Sequence, residues 1–345
     1  MPAYRIALLG GDGVGPEVVG AAQAVLEAVA QAVEGLRLEF SEYQVGHQAY
    51  QEFGNALPEA AMEGIRRADA TLLGAMSTGL VPPPSPMGVL RRELDLYADV
   101  RPIRSFPGVW SLKENIDIVV VRENTEGFLA DRNLYQGYGE FMPTGDVVVS
   151  LRVLTRANCA RIARFAFEYA RRHSRRKVTV AHKANVLRYG CGFFLEIVKE
   201  VARDYPGVVL EDEYVDSVAN NLITRPETYD LLLTTNMFGD IISDEAAALV
   251  SSLVPTANIG EGCAVFRPVH EALLKQAGKG TANPIPTVLS GAMMLEHLGE
   301  RRGAQLIEDA VRDLLAGGRG RTPDLGGAAT TLEVTDALCQ RIGRG

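Results

Sequence analysis

The chain has few cysteines. Its four, Cys159, Cys191, Cys263 and Cys339, form no C-x-x-C pair, which excludes a zinc module and gives no sign of a disulfide framework. It also lacks any apolar run near the roughly 20 residues that a membrane helix needs. There is no cationic excess: Lys and Arg total 35 against 43 Asp and Glu, a formal net charge of -8. That balance argues against a nucleic-acid partner, whose phosphates would call for a dense basic face. The best basic run, Arg171, Arg172, Arg175, Arg176 and Lys177, closes a helical stretch and reads as cations at a helix C-terminus. No basic leader followed by an apolar core and a cleavage site is visible in "MPAYRIALLGGDG", so a cytoplasmic protein with no membrane contact is expected.

What is present is an alternation of short apolar runs and amphipathic stretches. Residues Arg5–Leu9 read as a strand, Pro16–Val33 as a helix and Leu36–Tyr43 as a strand, a βαβ rhythm. It continues with strands at Thr71–Ala75, Ile116–Val121, Val147–Leu154, Lys177–Ala181, Val208–Tyr214 and Leu231–Thr235. Helices are expected at Ala157–Arg172, Cys191–Asp204, Asp240–Ser252 and Ala304–Leu315. The fold class is α/β, and 345 residues suit two lobes or one large unit. Gly137–Arg152, with glycines and an alternating Val147, Val149, Leu151, would suit an excursion or arm that serves subunit contact.

Several stretches carry chemistry. "GGDGVGPEV", Gly10–Val18, joins a strand to a helix but has no glycine three residues after Gly15 and no G-K-[ST] ending, so it is neither a dinucleotide fingerprint nor a phosphate loop. In "TTNMFGDIISDEAA", Asp240 and Asp244 are four apart and share a helix face. They form either a solvated acidic first turn or a pair that holds a cation. Asp216 in "EYVDSVANN" lies at the end of another strand, and three such carboxylates would suit Mg²⁺ or Mn²⁺. Arg91, Arg101 and Arg122 end strands or loops; singly each is an ordinary surface charge, together they suit a substrate with more than one carboxylate. Lys183 in "AHKAN" follows an apolar strand and is either a solvated strand-end cation or a partly buried amine that becomes a usable acid or base.

Taken in order, "GDGVGPEV", "LRRELDLYADVRP", "VVVRENTEG", "AHKAN", "YVD", "TTNMFGDIISDEAA", "ANIG", "AGKGTANP" and "RTPDLGG" resemble the metal-dependent β-decarboxylating dehydrogenases over nearly the whole chain. That family includes isopropylmalate, isocitrate, homoisocitrate and tartrate dehydrogenases. The resemblance implies a two-domain fold that is not a Rossmann dinucleotide domain. Residues 1–100 and 255–345 would form a large domain, and 101–254 a central domain with the metal ligands and the dimer contact. It implies a homodimer with shared sites. A hydride would pass from the 2-hydroxyl carbon to NAD or NADP and the 3-carboxylate would leave as CO2, supported by Mg²⁺ or Mn²⁺. Carried over motif by motif, Arg91, Arg101 and Arg122 hold the malate carboxylates. Asp240 and Asp244 bind the metal with Asp216 of a second copy, which also supplies Lys183 as the general base. Asn185 and Asn236 lie near substrate or nicotinamide, His270 and Asn283 beside adenosine, and Gly11 and Gly13 near the cofactor.

The chain departs from the family pattern in three places. Leu129 stands where the family has a proton-donating tyrosine, seven residues after Arg122, and Tyr135, Tyr138 or water would have to replace it. "RPVHEALLKQAGKG" puts Arg267 in place of an acid and Lys275 where NAD users carry an aspartate, which points toward NADP. "SPMGVLR" lacks the paired leucines of an isopropyl pocket, and Ser85 suits a polar third-carbon group, carboxylate or phosphonate, so an isocitrate-like or homoisocitrate-like substrate is expected. The alternative is a catalytically weak regulatory or structural subunit of the same family.

Overall fold

The computed structural model describes residues 3–77, 79–128, 137, 139–318 and 320–343. Its strands are β1 (Ala3–Leu9), β2 (Arg37–Tyr43), β3 (Ala70–Leu73), β4 (Ala98–Arg104), β5 (Asp117–Glu123), β6 (Glu140–Thr144), β7 (Val147–Ser150), β8 (Lys177–His182), β9 (Val209–Tyr214), β10 (Leu231–Thr234), β11 (Pro255–Ile259) and β12 (Ala264–Pro268). The helices are α1 (Gly15–Ala32), α2 (His47–Phe53), α3 (Glu59–Arg67), α4 (Pro86–Glu93), α5 (Arg156–Arg172), α6 (Gly190–Ala202), α7 (Val215–Thr224), α8 (Asn236–Ala248), α9 (Ile285–His297), α10 (Arg301–Ala316) and α11 (Thr331–Ile342). Two compact units result: Met1–Leu90 with Ser105–Ser111 and Val250–Gly345, and Arg91–Arg104 with Leu112–Leu249.

In the first unit the strand order is β2-β1-β3-β12-β11. The neighbours pair in parallel except β11 with β12. Helix α1 forms because Val18, Ala22, Val25 and Val29 repeat at helical spacing and are all buried, while Pro16 sits in its first turn, where a missing N–H costs nothing. The second unit has the order β4-β5-β10-β8-β9, all parallel from β5 onward. Residues Ile118 to Val121 are 0% exposed, at roughly 1.5–3 kcal/mol of burial per side chain. β6 and β7 form a separate antiparallel hairpin. Its Phe141, Met142, Val147 and Val148 are exposed. Among the described residues no helix is long and apolar enough to cross a membrane.

Parallel strands put their loops at one edge, and in α/β sheets ligands gather at the carboxyl ends. In the second unit those ends deliver Arg122 from β5, Lys183 after β8, Asp216 after β9 and Asn236 after β10. β4 runs antiparallel to β5 and brings its amino end to the same edge, with Asp99 opposite Arg122 in the ladder.

Two local assignments are corrected. Helix α8 begins at Asn236, four residues before Asp240, so the acidic pair stands beyond the first turn, where the helix dipole fades. Asp216 does not end a strand; it lies in the first turn of α7.

Candidate active site

Arg91 from α4, Arg101 from β4 and Arg122 from β5 converge. At their centre is Asp99, whose side chain is 1% exposed. Arg101 reaches it twice, with Nε 3.4 Å from Oδ1 and Nη2 3.2 Å from Oδ2. Arg91 Nη2 and Arg122 Nη1 each lie 3.8 Å from Oδ2. On the open side, Arg101 Nη1 donates to Asp244 Oδ1 at 2.6 Å and Arg122 Nη1 donates to Asp240 Oδ1. Burial alone would lower the Arg101 guanidinium, but Asp99, Asp244 and Asp240 together hold it above the ordinary arginine range.

The backbone makes room for this set. Arg122 is 3% exposed, and its stem lies against Gly239 on α8, where an added Cβ would sit 2.6 Å from Arg122 Cγ. Asn236, expected near nicotinamide or substrate, is 0% exposed and brackets Arg122. Its Oδ1 accepts from Arg122 Nε at 3.2 Å and Nη2 at 2.6 Å, fixing one edge of the guanidinium and leaving the Nη1/Nη2 edge toward the acidic pair. The polar block after Arg122 has a structural purpose. Glu123 accepts from Thr125 N, Thr125 Oγ1 and Glu126 N at 2.6–2.8 Å. Glu126 accepts from Thr155 N, Thr155 Oγ1 and Asn158 Nδ2, tying the loop to the start of α5. Burial beside Glu126 and Glu123 pushes the Cys159 thiol up to about 12, which makes it an inert core group.

Lys183 and Asp216 pair with each other rather than with the arginine set. The Lys183 amine also lies 5.8 Å from the Tyr214 ring centroid. The turn that carries it is shaped by His182: Nδ1 accepts the Ala184 N–H at 3.0 Å and Nε2 donates to Asp212 at 3.0 Å, a division of roles that needs the Nε2–H tautomer. The Lys183 partner holds the Asp216 carboxyl below the usual carboxylate range. Asn185 is exposed in the following turn. Among the described residues no three carboxylate, imidazole or thiol groups gather into a cation site; Asp240 and Asp244 are adjacent on α8, and Asp216 is not grouped with them. The pair nonetheless suits a hard divalent ion: both are oxygen donors, 54% and 65% exposed.

In the first unit, Arg267 and Lys275 line a cavity of about 510 Å³ together with Met76, Ser77, Glu271 and Gln276. Beside it His270 is half-buried; its Nδ1 lies 3.0 Å from the Glu271 carbonyl and desolvation lowers its basicity. Asn283 lies two residues before α9, with Oδ1 accepting from Ile285 N at 3.0 Å and Nδ2 donating to Asp324 at 2.9 Å. Gly11 and Gly13 have φ of +79° and +59° and pack against the Ala75 and Ala272 carbonyls, so their first duty is a close backbone approach. Asp12 braces that loop by accepting from His47 N at 2.7 Å and Ser77 N at 2.9 Å. Ser85 Oγ accepts from Gly88 N at 3.1 Å at the start of α4, which leaves its own O–H able to donate. Leu129, Tyr135 and Tyr138 lie outside the described residues.

The carboxyl edge of this parallel sheet thus holds buried arginines beside an exposed carboxylate pair, groups able to bind carboxylates and a cation. The model of the isocitrate/isopropylmalate dehydrogenase family matches residues 5–338. The 3-isopropylmalate dehydrogenase of Archaeoglobus fulgidus is 44% identical over 98% of this chain and 99% of its own. The isocitrate/homoisocitrate dehydrogenase of Thermus thermophilus is likewise 44% identical, over 99% of each chain. The crystal structure of isocitrate dehydrogenase from Methylococcus capsulatus superposes with a TM-score of 0.90 at 39% identity, covering 99% of both chains. The chain belongs to the isocitrate/isopropylmalate dehydrogenase family. It is a decarboxylating dehydrogenase with that family's α/β fold, whose members act on a hydroxy acid and generally use NAD(P) and a divalent metal.

Proposed function

We propose that this chain oxidises and decarboxylates a 3-substituted malate with NAD(P) and Mg²⁺ or Mn²⁺. The observation that carries the reading is the convergence of Arg91, Arg101 and Arg122 beside Asp240 and Asp244. Arg101 and Arg122 keep their outer N–H groups directed at exposed carboxylates, so a substrate dianion can take over those bonds once the aspartates turn to a cation. When bound, the divalent ion would polarise the substrate hydroxyl and carboxylate, and the nicotinamide would accept the hydride. Lys183 is the base that takes the hydroxyl proton; Asp216 beside it keeps the amine in place.

Two copies complete the site in this reading. Because no third such ligand joins Asp240 and Asp244 among the described residues, Asp216 of a second copy would complete the metal site and Lys183 of that copy would supply the base. The exposed Phe141 and Val148 on the β6–β7 hairpin, Ile223 on α7 and Ile241 on α8 offer the apolar surface for a homodimer. For the cofactor, Arg267 and Lys275 lining one cavity favour NADP, since two cations suit a 2′-phosphate.

The test is to supply purified protein with Mg²⁺ or Mn²⁺, NAD or NADP, and a panel of 3-substituted malates, following reduced nicotinamide and CO2 separately. Metal-dependent reduction with matching CO2 release is expected. No reduction by well-folded protein with any member of the panel refutes the proposal. Reduction without accelerated CO2 release would locate the defect at Leu129.

A further inference from the structure

Lys183 leaves the chain from a peptide that is held at both of its polar groups. The Lys183 carbonyl accepts from Val186 N at 3.1 Å and Leu187 N at 2.8 Å, and the Ala184 N–H donates to His182 Nδ1 at 3.0 Å. The second bond depends on a tautomer. A neutral imidazole accepts at one nitrogen only, and Asp212 decides which: its Oδ1 lies 3.0 Å from Nε2, so the proton sits there and Nδ1 is left as the acceptor. Asp212 is itself anchored, with Lys199 Nζ 3.0 Å from its Oδ2. Across β8 and β9, Val180 pairs with Asp212 and His182 with Tyr214, so Asp212 and Tyr214 project from one face of β9 and flank the ring. Tyr214 meets it edge-on, with centroids 5.4 Å apart. The His182 side chain is 4% exposed, which leaves little room for water to replace either bond.

Resting on the function proposed above, in which Lys183 is the base, we propose that His182 is a positioning residue for the reaction: through Nδ1 it sets the Lys183–Ala184 peptide, and with it the direction in which the Lys183 side chain departs. Asp212 selects the tautomer, and the other ring nitrogen does the positioning. The ring neither takes nor gives a proton during turnover. Lysine carries its amine on a flexible four-carbon stem, so a small rotation of the peptide is magnified at the nitrogen. The far end of the stem has its own guides, the Asp216 carboxylate that pairs with the amine and the Tyr214 ring 5.8 Å from it. His182 fixes where the stem starts. An error of about 1 Å at a catalytic group can lower the rate by up to about 10²-fold, which is the scale of the effect expected from losing the Nδ1 bond.

Asparagine and glutamine each copy one half of the imidazole, and the experiment uses both. In His182→Asn the amide oxygen stands near the Nδ1 position and keeps the Ala184 bond; in His182→Gln the amide nitrogen reaches Asp212 and the Nδ1 acceptor is lost. Steady-state kinetics on the best malate of the panel should show His182→Asn within about threefold of the wild-type kcat, and His182→Gln lower by about 10- to 100-fold with KM changed by less than about twofold. A purely structural role would instead rank the variants by their thermal midpoints, and Asn, which gives up the Asp212 bond, would be impaired at least as much as Gln. Equal kcat in the two folded variants, or a loss carried by KM, overturns the proposal. If His182→Gln does not fold, His182→Asn decides: a kcat near the wild type's supports the assignment, and a fall of about tenfold or more overturns it. Nitrogen NMR of the histidine rings in the wild type should show His182 as the Nε2–H tautomer; an Nδ1–H or doubly protonated ring overturns the proposal whatever the variants do. Wild-type inactivity on every malate would instead be a failure of the proposed function.

Discussion

Two helical glycines, Gly239 on α8 and Gly20 on α1, allow one substitution to be read twice with opposite expected signs. An added Cβ at Gly20 meets nothing within 4 Å, whereas at Gly239 it would lie 2.6 Å and 2.7 Å from Arg122 Cγ and Cβ and 3.0 Å from Thr234 Cγ2. Ordinary carbon contacts fall at about 3.5–4.0 Å, so Gly239→Ala forces a movement of about 1 Å. Arg122 cannot give way freely, because Asn236 and Asp240 hold its guanidinium and β5 holds its backbone. Both variants gain up to about 1 kcal/mol of helix propensity. At Gly20 that gain stands, raising the thermal midpoint slightly and leaving activity alone. At Gly239 overpacking of about 1–3 kcal/mol outweighs it. In the substrate-holding role proposed for Arg122 the larger effect is catalytic: a 1 Å error can lower kcat/KM by up to about 10²-fold. Thermal melts and steady-state kinetics on both variants check this. A Gly239→Ala protein as stable as Gly20→Ala with wild-type kcat/KM would refute the reading of Arg122 as packed against α8.

Further outcomes are expected elsewhere. Glu126→Ala leaves Thr155 N, Thr155 Oγ1 and Asn158 Nδ2 without their acceptor. It should cost about 3 kcal/mol, seen as a lower thermal midpoint and faster unfolding; a midpoint like the wild type's would show that water replaces the carboxylate. Burial lowers His270 below its ordinary 6.5, so the unfolded chain takes up a proton first as the pH falls. The stability this confers is complete above 6.5 and declines below it. Thermal melts of His270→Gln against wild type should therefore converge as the pH is lowered, and parallel curves would count against a neutral half-buried ring. Lys275→Asp should move the NADP/NAD ratio of kcat/KM toward NAD, and an unchanged ratio would remove Lys275 from 2′-phosphate recognition.

The legible part of this molecule is the part in which polarity and position agree. Ile118 to Val121 read as a buried strand and are one; Val18 to Val29 read as the inner stripe of α1 and are that too. The family motifs likewise mark Arg91, Arg101, Arg122, Asp240 and Asp244 before any coordinates, since bidentate cations and paired carboxylates state their chemistry in their residue types. Less accessible were the supporting groups. Asn236 carries no sign that its amide would bracket a guanidinium across 114 positions, and His182 looks like any strand-end polar residue until its two nitrogens are seen to hold both Ala184 and Asp212.

β4 shows why the remainder stayed hidden. Its sequence ADVRPIR contains two arginines, an aspartate and a proline, a composition that reads as a loop because strand recognition assumes that charge faces water. Here Asp99 and Arg101, two residues apart, point to the same side of the strand and are both buried, each supplying the other's counter-charge. Opposite charges at the period of a strand, next to a segment that ends in Arg122, were the available signal. Burying such a pair is costly unless further polar partners surround it, and Arg91 and Arg122 lie 3.8 Å from Asp99 on β4, so a strand with its charges turned inward points to a cluster of ionic groups.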